Sequence, residues 1–266
     1  MLITISAWSY RDMFASGTMD HDRFLAEAKR IGADGIEVFP GHLRQGDPMR
    51  HAQEVADKAE DLGLAVATFI TRNDFARPTA AERAQELERM RQWIVTAAAA
   101  GVRRLNTFTG SHTDGGNPLA EYHRVLDAYG EVTPFAEENG VVLCLENMSS
   151  VCPDADGILS IIRAVDSPSL RANPDPTNFR YCGVGDGETV YSETRKLMPY
   201  AASFHLHVGE FTPDGGNAFL DMARIRALLS EASYDGHVVL EYGGGTDPLG
   251  ACEKGVAMAR KWFASA

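Results

Sequence analysis

Eight short runs of apolar, β-favouring residues recur along the chain, each followed by a stretch with helical spacing. They are Leu2–Trp8, Gly35–Phe39, Leu64–Ile70, Val102–Phe108, Val141–Glu146, Leu170–Asp175, Ala202–Val208 and His237–Tyr242. Over 266 residues this gives one unit per roughly 33 residues, the size of a strand plus a crossover helix. Strict alternation implies a parallel sheet with right-handed crossovers. Eight units favour closure into a barrel over an open, doubly wound sheet. The open sheet would call for a glycine-rich first turn around a nucleotide, but the first turn reads Ser6-Ala-Trp-Ser-Tyr10. The expected fold is α/β, a single (β/α)8 TIM barrel over residues 1–266.

Helix punctuation supports the alternation. Asp47-Pro48, Asn117-Pro118 and Asp247-Pro248 each set a capping side chain before a proline whose missing N–H costs nothing at the first helical position. Thr79-Ala-Ala-Glu82 has the spacing of a capping box. Asp221 has the character of an N-cap for a helix beginning at Met222. Gly32, Gly63, Gly101 and Gly140 stand where a helix should stop before the next strand.

The chain carries 37 acidic and 25 basic residues, a net charge of −12. Such a balance argues against a broad phosphate-binding face, and so against nucleic acid as partner. It points instead to a small neutral substrate. The start, Met1–Trp8, lacks the basic flank and long apolar core of a secretory signal. The most apolar later stretch, Ile94–Val102, is too short to span a bilayer. Four cysteines form no C-x-x-C pair and no disulfide frame. A reduced, cytoplasmic protein without membrane contact is the expectation.

In barrels of this kind the reactive groups lie at the C-terminal ends of the strands. Strand two ends with Glu37, strand five with Glu146-Asn147, and strand six runs into Asp175-Pro-Thr-Asn178. Strand seven carries His205-Leu-His207, and strand eight ends at Glu241. Glu146, Asp175, His207 and Glu241 thus occupy four successive units, and adjacent strands lie only about 4.8 Å apart. A lone strand-end glutamate is commonly a solvated loop residue; four such groups in register are a stronger signal. Three carboxylates gathered at neutral pH require protons or a cation. An oxygen-rich set with one imidazole suits one divalent metal ion, Mn²⁺, Mg²⁺, Co²⁺ or Zn²⁺.

Alternation along a strand puts His205 and His207 on one face. His207, nearer the strand's C-terminal end, is the preferred ligand, and His205 the supporting or packing residue. His112, in the loop after strand four, is a candidate substrate contact. Trp8, with Tyr10 and Phe69, could wall a sugar pocket. Arg11, Arg72 and Arg180 are the strand-end cations, and each reads more readily as a surface or salt-bridge arginine.

These segments resemble the sugar phosphate isomerase/epimerase superfamily, the xylose-isomerase-like or AP-endonuclease-2-like TIM barrels. The resemblance rests on Gly32-Ala-Asp-Gly-Ile-Glu37, Leu145-Glu146-Asn147, Asp175-Pro-Thr-Asn178, His205-Leu-His-Val-Gly-Glu210 and Tyr234–Glu241, and on Gly215-Gly216 followed by Leu220-Asp221. It implies a metal held at Glu146, Asp175, His207 and Glu241. It also implies catalysis by Glu146 and Glu241: one removes the proton beside a carbonyl, the metal stabilises the enediolate, and the other reprotonates. Trp8, Glu37, His112, Asn178 and His205 are then the candidates for substrate binding. The chain departs from the family pattern at Asn178, where many members have histidine, and at Phe211-Thr-Pro-Asp-Gly-Gly216, which lacks the epimerases' arginine. An amide can orient a hydroxyl but is a poor general acid. The extra histidines of the DNA-repair branch are mostly unmatched.

The leading expectation is a metal-dependent isomerase or epimerase of a sugar or sugar-like ketose. A lyase or dehydratase of the same superfamily, acting on an inosose, dehydroshikimate or a 3-keto-glycoside, is the alternative, and a non-catalytic sugar-binding barrel is a third. Dimers or tetramers are common in the family, so a homo-oligomer is admissible, though no residue marks an interface.

Overall fold

The computed structural model describes residues 1–263. The eight apolar runs become β1 (Leu2–Ser6), β2 (Gly35–Val38), β3 (Ala65–Ile70), β4 (Arg104–Thr107), β5 (Val142–Glu146), β6 (Leu170–Asn173), β7 (Phe204–Val208) and β8 (His237–Tyr242). All ladders are parallel, in the order β6-β5-β4-β3-β2-β1-β8-β7. The remaining seam, between β6 and β7, closes through a parallel bridge from Ala172 to Ala201 and two backbone bonds. Ala202 N–H donates to Ala172 C=O at 3.0 Å and His205 N–H to Pro174 C=O at 3.0 Å. The result is the expected TIM barrel.

Ten helices accompany the strands: α1 (Arg11–Ala15), α2 (His21–Arg30), α3 (Pro48–Asp61), α4 (Ala80–Ala99), α5 (Pro118–Glu138), α6 (Ala155–Val165), α7 (Pro176–Tyr181), α8 (Glu188–Leu197), α9 (Met222–Glu231) and α10 (Pro248–Phe263). Seven are the crossovers and α10 follows β8; α1 and α7 are short additions at the C-terminal ends of β1 and β6. Every strand but β8 is shorter than its apolar run, and at β1 and β6 these additions account for the loss. β1 stops at Ser6, whose Oγ accepts the Trp8 N–H at 3.2 Å and opens a 3₁₀ turn over Ala7–Tyr10. β6 stops at Asn173, because Pro174 has no ladder donor and Asp175-Pro176 begins a helix.

The expected punctuation is present. Asp47, Asn117 and Asp221 cap α3, α5 and α9 with their side chains. Asp247 Oδ1 accepts from the Gly250 N–H at the start of α10. Gly32, Gly63, Gly101 and Gly140 sit at φ between +65° and +79°, a conformation that ends a helix at little cost only for glycine.

The core lies between barrel and helices: Phe204 and Leu206 of β7 are fully buried, as are Phe24, Ile94, Val132 and Ile225 on the surrounding helices. His205 and His207 alternate with the apolar β7 residues and therefore face the interior. The buried polar residues Glu37, Asn106, Glu146, Asn173 and Glu241 all belong to strands.

Thr79 and Glu82 exchange the two bonds of a capping box at the head of α4, at 3.2 and 3.1 Å. Thr79→Ala should cost about 1 kcal/mol, read as a lower urea midpoint at unchanged slope.

Candidate active site

Strand register assembles the site. β7 and β8 pair with His207 beside Glu241, and β5 and β6 pair with Glu146 beside Asn173. On β2 the register against β3 shifts between Ile36 and Glu37, a local irregularity of the kind that re-aims a side chain. Glu37 is fully buried and its Oε2 lies 3.0 Å from His205 Nε2. His205 Nδ1 lies 3.4 Å from Glu146 Oε2 and 3.6 Å from Glu241 Oε2. His207 Nδ1 is hydrogen-bonded to Asp175 Oδ2, and its Nε2 lies 3.1 Å from Glu241 Oε1.

Four carboxylates and two imidazoles thus interleave at the C-terminal end of the barrel. Two triads within it, Glu37/His205/Glu241 and Glu146/Asp175/His205, bring one ligand-type atom from each residue within 4.8 Å of one another. His205 belongs to both. The sequence assigned the metal to His207 and a supporting part to His205; the fold brings both into the cluster.

Asp175 serves two structures at once. Its Oδ1 caps α7 by accepting the Thr177 N–H at 2.8 Å, while Oδ2 faces His207. Asn147 clamps its backbone, donating to Asp175 C=O at 3.0 Å and accepting its N–H at 2.9 Å. Glu146 is held by three carboxamides: Asn106 and Asn173 donate to Oε2, and Asn178 donates to Oε1 at 2.7 Å. Asn178, a candidate for substrate binding, is fully buried and holds Glu146.

Burial alone would depress the His205 imidazole, but the Glu37 and Glu146 carboxylates outweigh it and push its pKa up to about 10. His207 is likewise raised against its burial by Asp175 and Glu241. Burial pushes Glu146 up to about 7. Asp175 and Glu241 are lowered despite burial because His207 faces both. Four carboxylates gathered around two imidazoles outnumber their cationic partners, so the cluster calls for protons or a cation. Glu37 Oε1 and the Oδ1 atoms of Asn106, Asn173 and Asn178 are buried without a hydrogen-bond partner. An oxygen-rich, charge-deficient donor set of this kind fits a divalent cation.

A cavity of about 750 Å³ opens over the cluster. Glu146 and Glu241 line it, with Trp8, Arg72, Phe108, Ser149, Ser150 and Tyr181 among the other walls. A profile of the xylose isomerase-like TIM barrel family matches residues 25–263. The chain belongs to this family. No functionally curated protein matches it in sequence. Its fold is shared with a D-psicose 3-epimerase determined in the presence of D-fructose (TM-score 0.79, 14% identity, 100% of both chains covered). It is shared too with 3-keto-D-glucoside 4-epimerase from E. coli (TM-score 0.77, 16% identity, 98% of this chain and 99% of that one). A probable 3-DHS dehydratase from Bacillus anthracis is similar at TM-score 0.75 and 17% identity, over 98% of this chain and 100% of that one. At these identities the likeness is one of fold.

Within this xylose isomerase-like barrel, Trp8 lines the cavity as expected, edge-on to Phe39 at 5.0 Å. His112 does not line it; its Nδ1 is engaged by Glu121 of α5 and its N–H by Ser150 Oγ, which turns the residue toward the helix. Of the three strand-end arginines, Arg72 lines the cavity. Arg180 lines a separate one of about 340 Å³, and Arg11 is spent on backbone carbonyls. Sequence reasoning missed Ser149, Ser150 and Tyr181. Ser149 and Ser150 lie three and four residues past Glu146, and Tyr181 six past Asp175; closeness to an identified acid is the signal that could have found them.

Glu37→Ala should destabilise chelator-treated protein by about 2 kcal/mol, because it removes the hydrogen-bonded carboxylate nearest the buried His205 imidazole. Glu37→Gln, whose amide oxygen can still accept from Nε2, should lose less than half of that by urea unfolding.

Proposed function

We propose that the chain is a divalent-metal-dependent isomerase or epimerase of a sugar or sugar-like ketose, acting by proton abstraction at a carbon beside a carbonyl. One observation carries this reading: of the six ionisable side chains in the cluster, Glu146 and Glu241 alone line the cavity. Two carboxylates from different strands, β5 and β8, therefore meet a bound molecule while Glu37, Asp175 and the imidazoles stand behind them. One glutamate takes the proton from the carbon and the other returns one from its own side. The three carboxamides around Glu146 fix its oxygens, so that proton transfer needs little reorientation.

Glu146, Asp175, His207 and Glu241 would hold the cation, with His205 and Glu37 supporting them. When bound, it supplies Lewis-acid stabilisation of negative charge developing on substrate oxygens. The acidic balance of the chain supports a small molecule over nucleic acid. No helix among the described residues is long and apolar enough to cross a membrane.

The second reading is a lyase or dehydratase. Tyr181 favours it: its ring stands edge-on to His207 at 5.8 Å and lines the cavity. It offers a phenolic proton outside the glutamate pair, which expulsion of a leaving group would use and epimerisation would not.

Metal analysis should find about one divalent ion per chain, and Glu146→Gln and His207→Ala should each weaken retention about tenfold or more. In D₂O, ketose turnover should place one deuterium on carbon, and Glu146→Gln or Glu241→Gln should slow it at least ~100-fold. Loss of water or an aglycone without carbon-bound deuterium in a recovered ketose would select the lyase. Tight sugar binding by metal-loaded protein with neither outcome would leave a binding barrel.

A further inference from the structure

The cavity has two chemically different ends. Its floor is acidic and buried, with Glu146 1% and Glu241 6% exposed. Its rim, on the segments after β3 and β5, carries Arg72, Arg77, Ser149, Ser150 and one acid, Asp74, whose oxygens are taken up by Arg77 and the Ala76 N–H. Arg72 is exposed and lines the cavity, with its guanidinium 4.9 Å from the Trp8 ring centroid. Among the described residues no carboxylate lies within 4.0 Å of it, and its side chain donates no hydrogen bond. Arg11, on the same tryptophan at 5.5 Å, donates to the carbonyls of Trp8, Tyr242 and Gly243. Arg77 faces Asp74 at 3.4 Å. Arg72 alone of the three keeps its whole fork free, steered by an aromatic face rather than by an anion.

The backbone beneath it is fixed. Thr71 bonds Asn106 C=O through both its N–H and its hydroxyl. Asn73 donates to Phe108 C=O at 2.6 Å and accepts the Phe108 N–H at 2.9 Å. Across the rim, Ser149 Oγ accepts the Gly110 N–H at 3.3 Å and Ser150 Oγ accepts the His112 N–H. Each hydroxyl therefore has its oxygen used and its hydrogen left to donate.

We propose that Arg72, Ser149 and Ser150 form an anion subsite, and that the ketose-like substrate carries a carboxylate or phosphate which this rim binds. The proposal rests on the isomerase reading for the identity of the floor. The rim then orients the substrate: Arg72 and the two hydroxyls hold its anionic end, which presents the carbonyl end to Glu146 and Glu241. The acid excess of the whole chain suggests a neutral substrate; the rim of the cavity, where Arg72 and Arg77 outnumber Asp74, has the opposite sign.

The test is calorimetric binding of D-fructose, D-fructose 6-phosphate and D-fructuronate to metal-loaded protein. These share one ketose and differ at the terminal carbon: hydroxyl, phosphate or carboxylate. At least one charged member should bind about tenfold or more tighter than D-fructose, and the preference should shrink as salt is added. Phosphate over carboxylate, or the reverse, identifies the group. Arg72→Gln should reduce the charged-to-neutral affinity ratio about tenfold, Arg72→Lys should retain part of it, and Ser149→Ala/Ser150→Ala should lower it further. Circular dichroism checks that each variant is folded. D-fructose binding as tightly as both charged members, or a ratio unmoved by Arg72→Gln, would overturn the proposal. Because binding is read without turnover, failure of the isomerase reading appears separately, as absence of carbon-bound deuterium.

Discussion

Burying four carboxylates around two imidazoles is the constraint on which the rest of this barrel depends. Each ion taken out of water costs several kcal/mol, and only close opposite charge and directed hydrogen bonds offset that. Neither imidazole is left with a single partner: His205 faces Glu37, Glu146 and Glu241, and His207 faces Asp175 and Glu241. The eight-strand closure makes the arrangement possible, because it brings β2, β5, β7 and β8 to one axis. Left open at the β6–β7 seam, the same strand order would have put β5 six places from β7.

A second layer holds those charges in place. Three carboxamides converge on Glu146, from β4, β6 and α7, and a fourth, Asn147, clamps the backbone of Asp175. Amides suit this position because they donate without adding charge. An arginine there would have satisfied Glu146 and neutralised it as a base. Asn178 illustrates the point: where related barrels carry a histidine, its amide leaves the glutamate's charge available.

The sequence made the barrel legible through its repeat and its caps, since periodicity and N-cap chemistry are local. It also placed Glu146, Asp175, His207 and Glu241 at strand ends facing one mouth. What it did not resolve was depth. Alternation sets His205 and His207 on one face, but which nitrogen meets which carboxylate depends on register across β7 and β8 and on the shift before Glu37. Asp175-Pro176 repeats the Asp-Pro signature that marks α3 and α10, yet within an apolar run it reads as a strand end. Its helix, α7, delivers Asn178 and leads to Tyr181. The loop Phe211–Asn217 closes on itself through a Phe211–Asn217 bridge and a Thr212 N–H bond to Gly216 C=O. Asn217 then ties it to His207 C=O at 3.1 Å. Loop paths of this kind are set by tertiary contacts, for which a single sequence carries no signal.

Net charge is the coarsest of the sequence quantities and the one the fold redistributes most. Most of the 37 acids sit on helices, several in exposed pairs such as Arg224–Glu188 and Arg195–Glu231, where water screens them. Those charges keep the surface acidic without reaching the cavity. Inside, screening is weak, so a few groups dominate what a bound molecule experiences. The acids that matter there are Glu146 and Glu241 on the floor, and the cation that matters is Arg72, which forms no ion pair with the protein. Position on the cavity wall, and not the total of −12, therefore decides which charges a bound molecule meets.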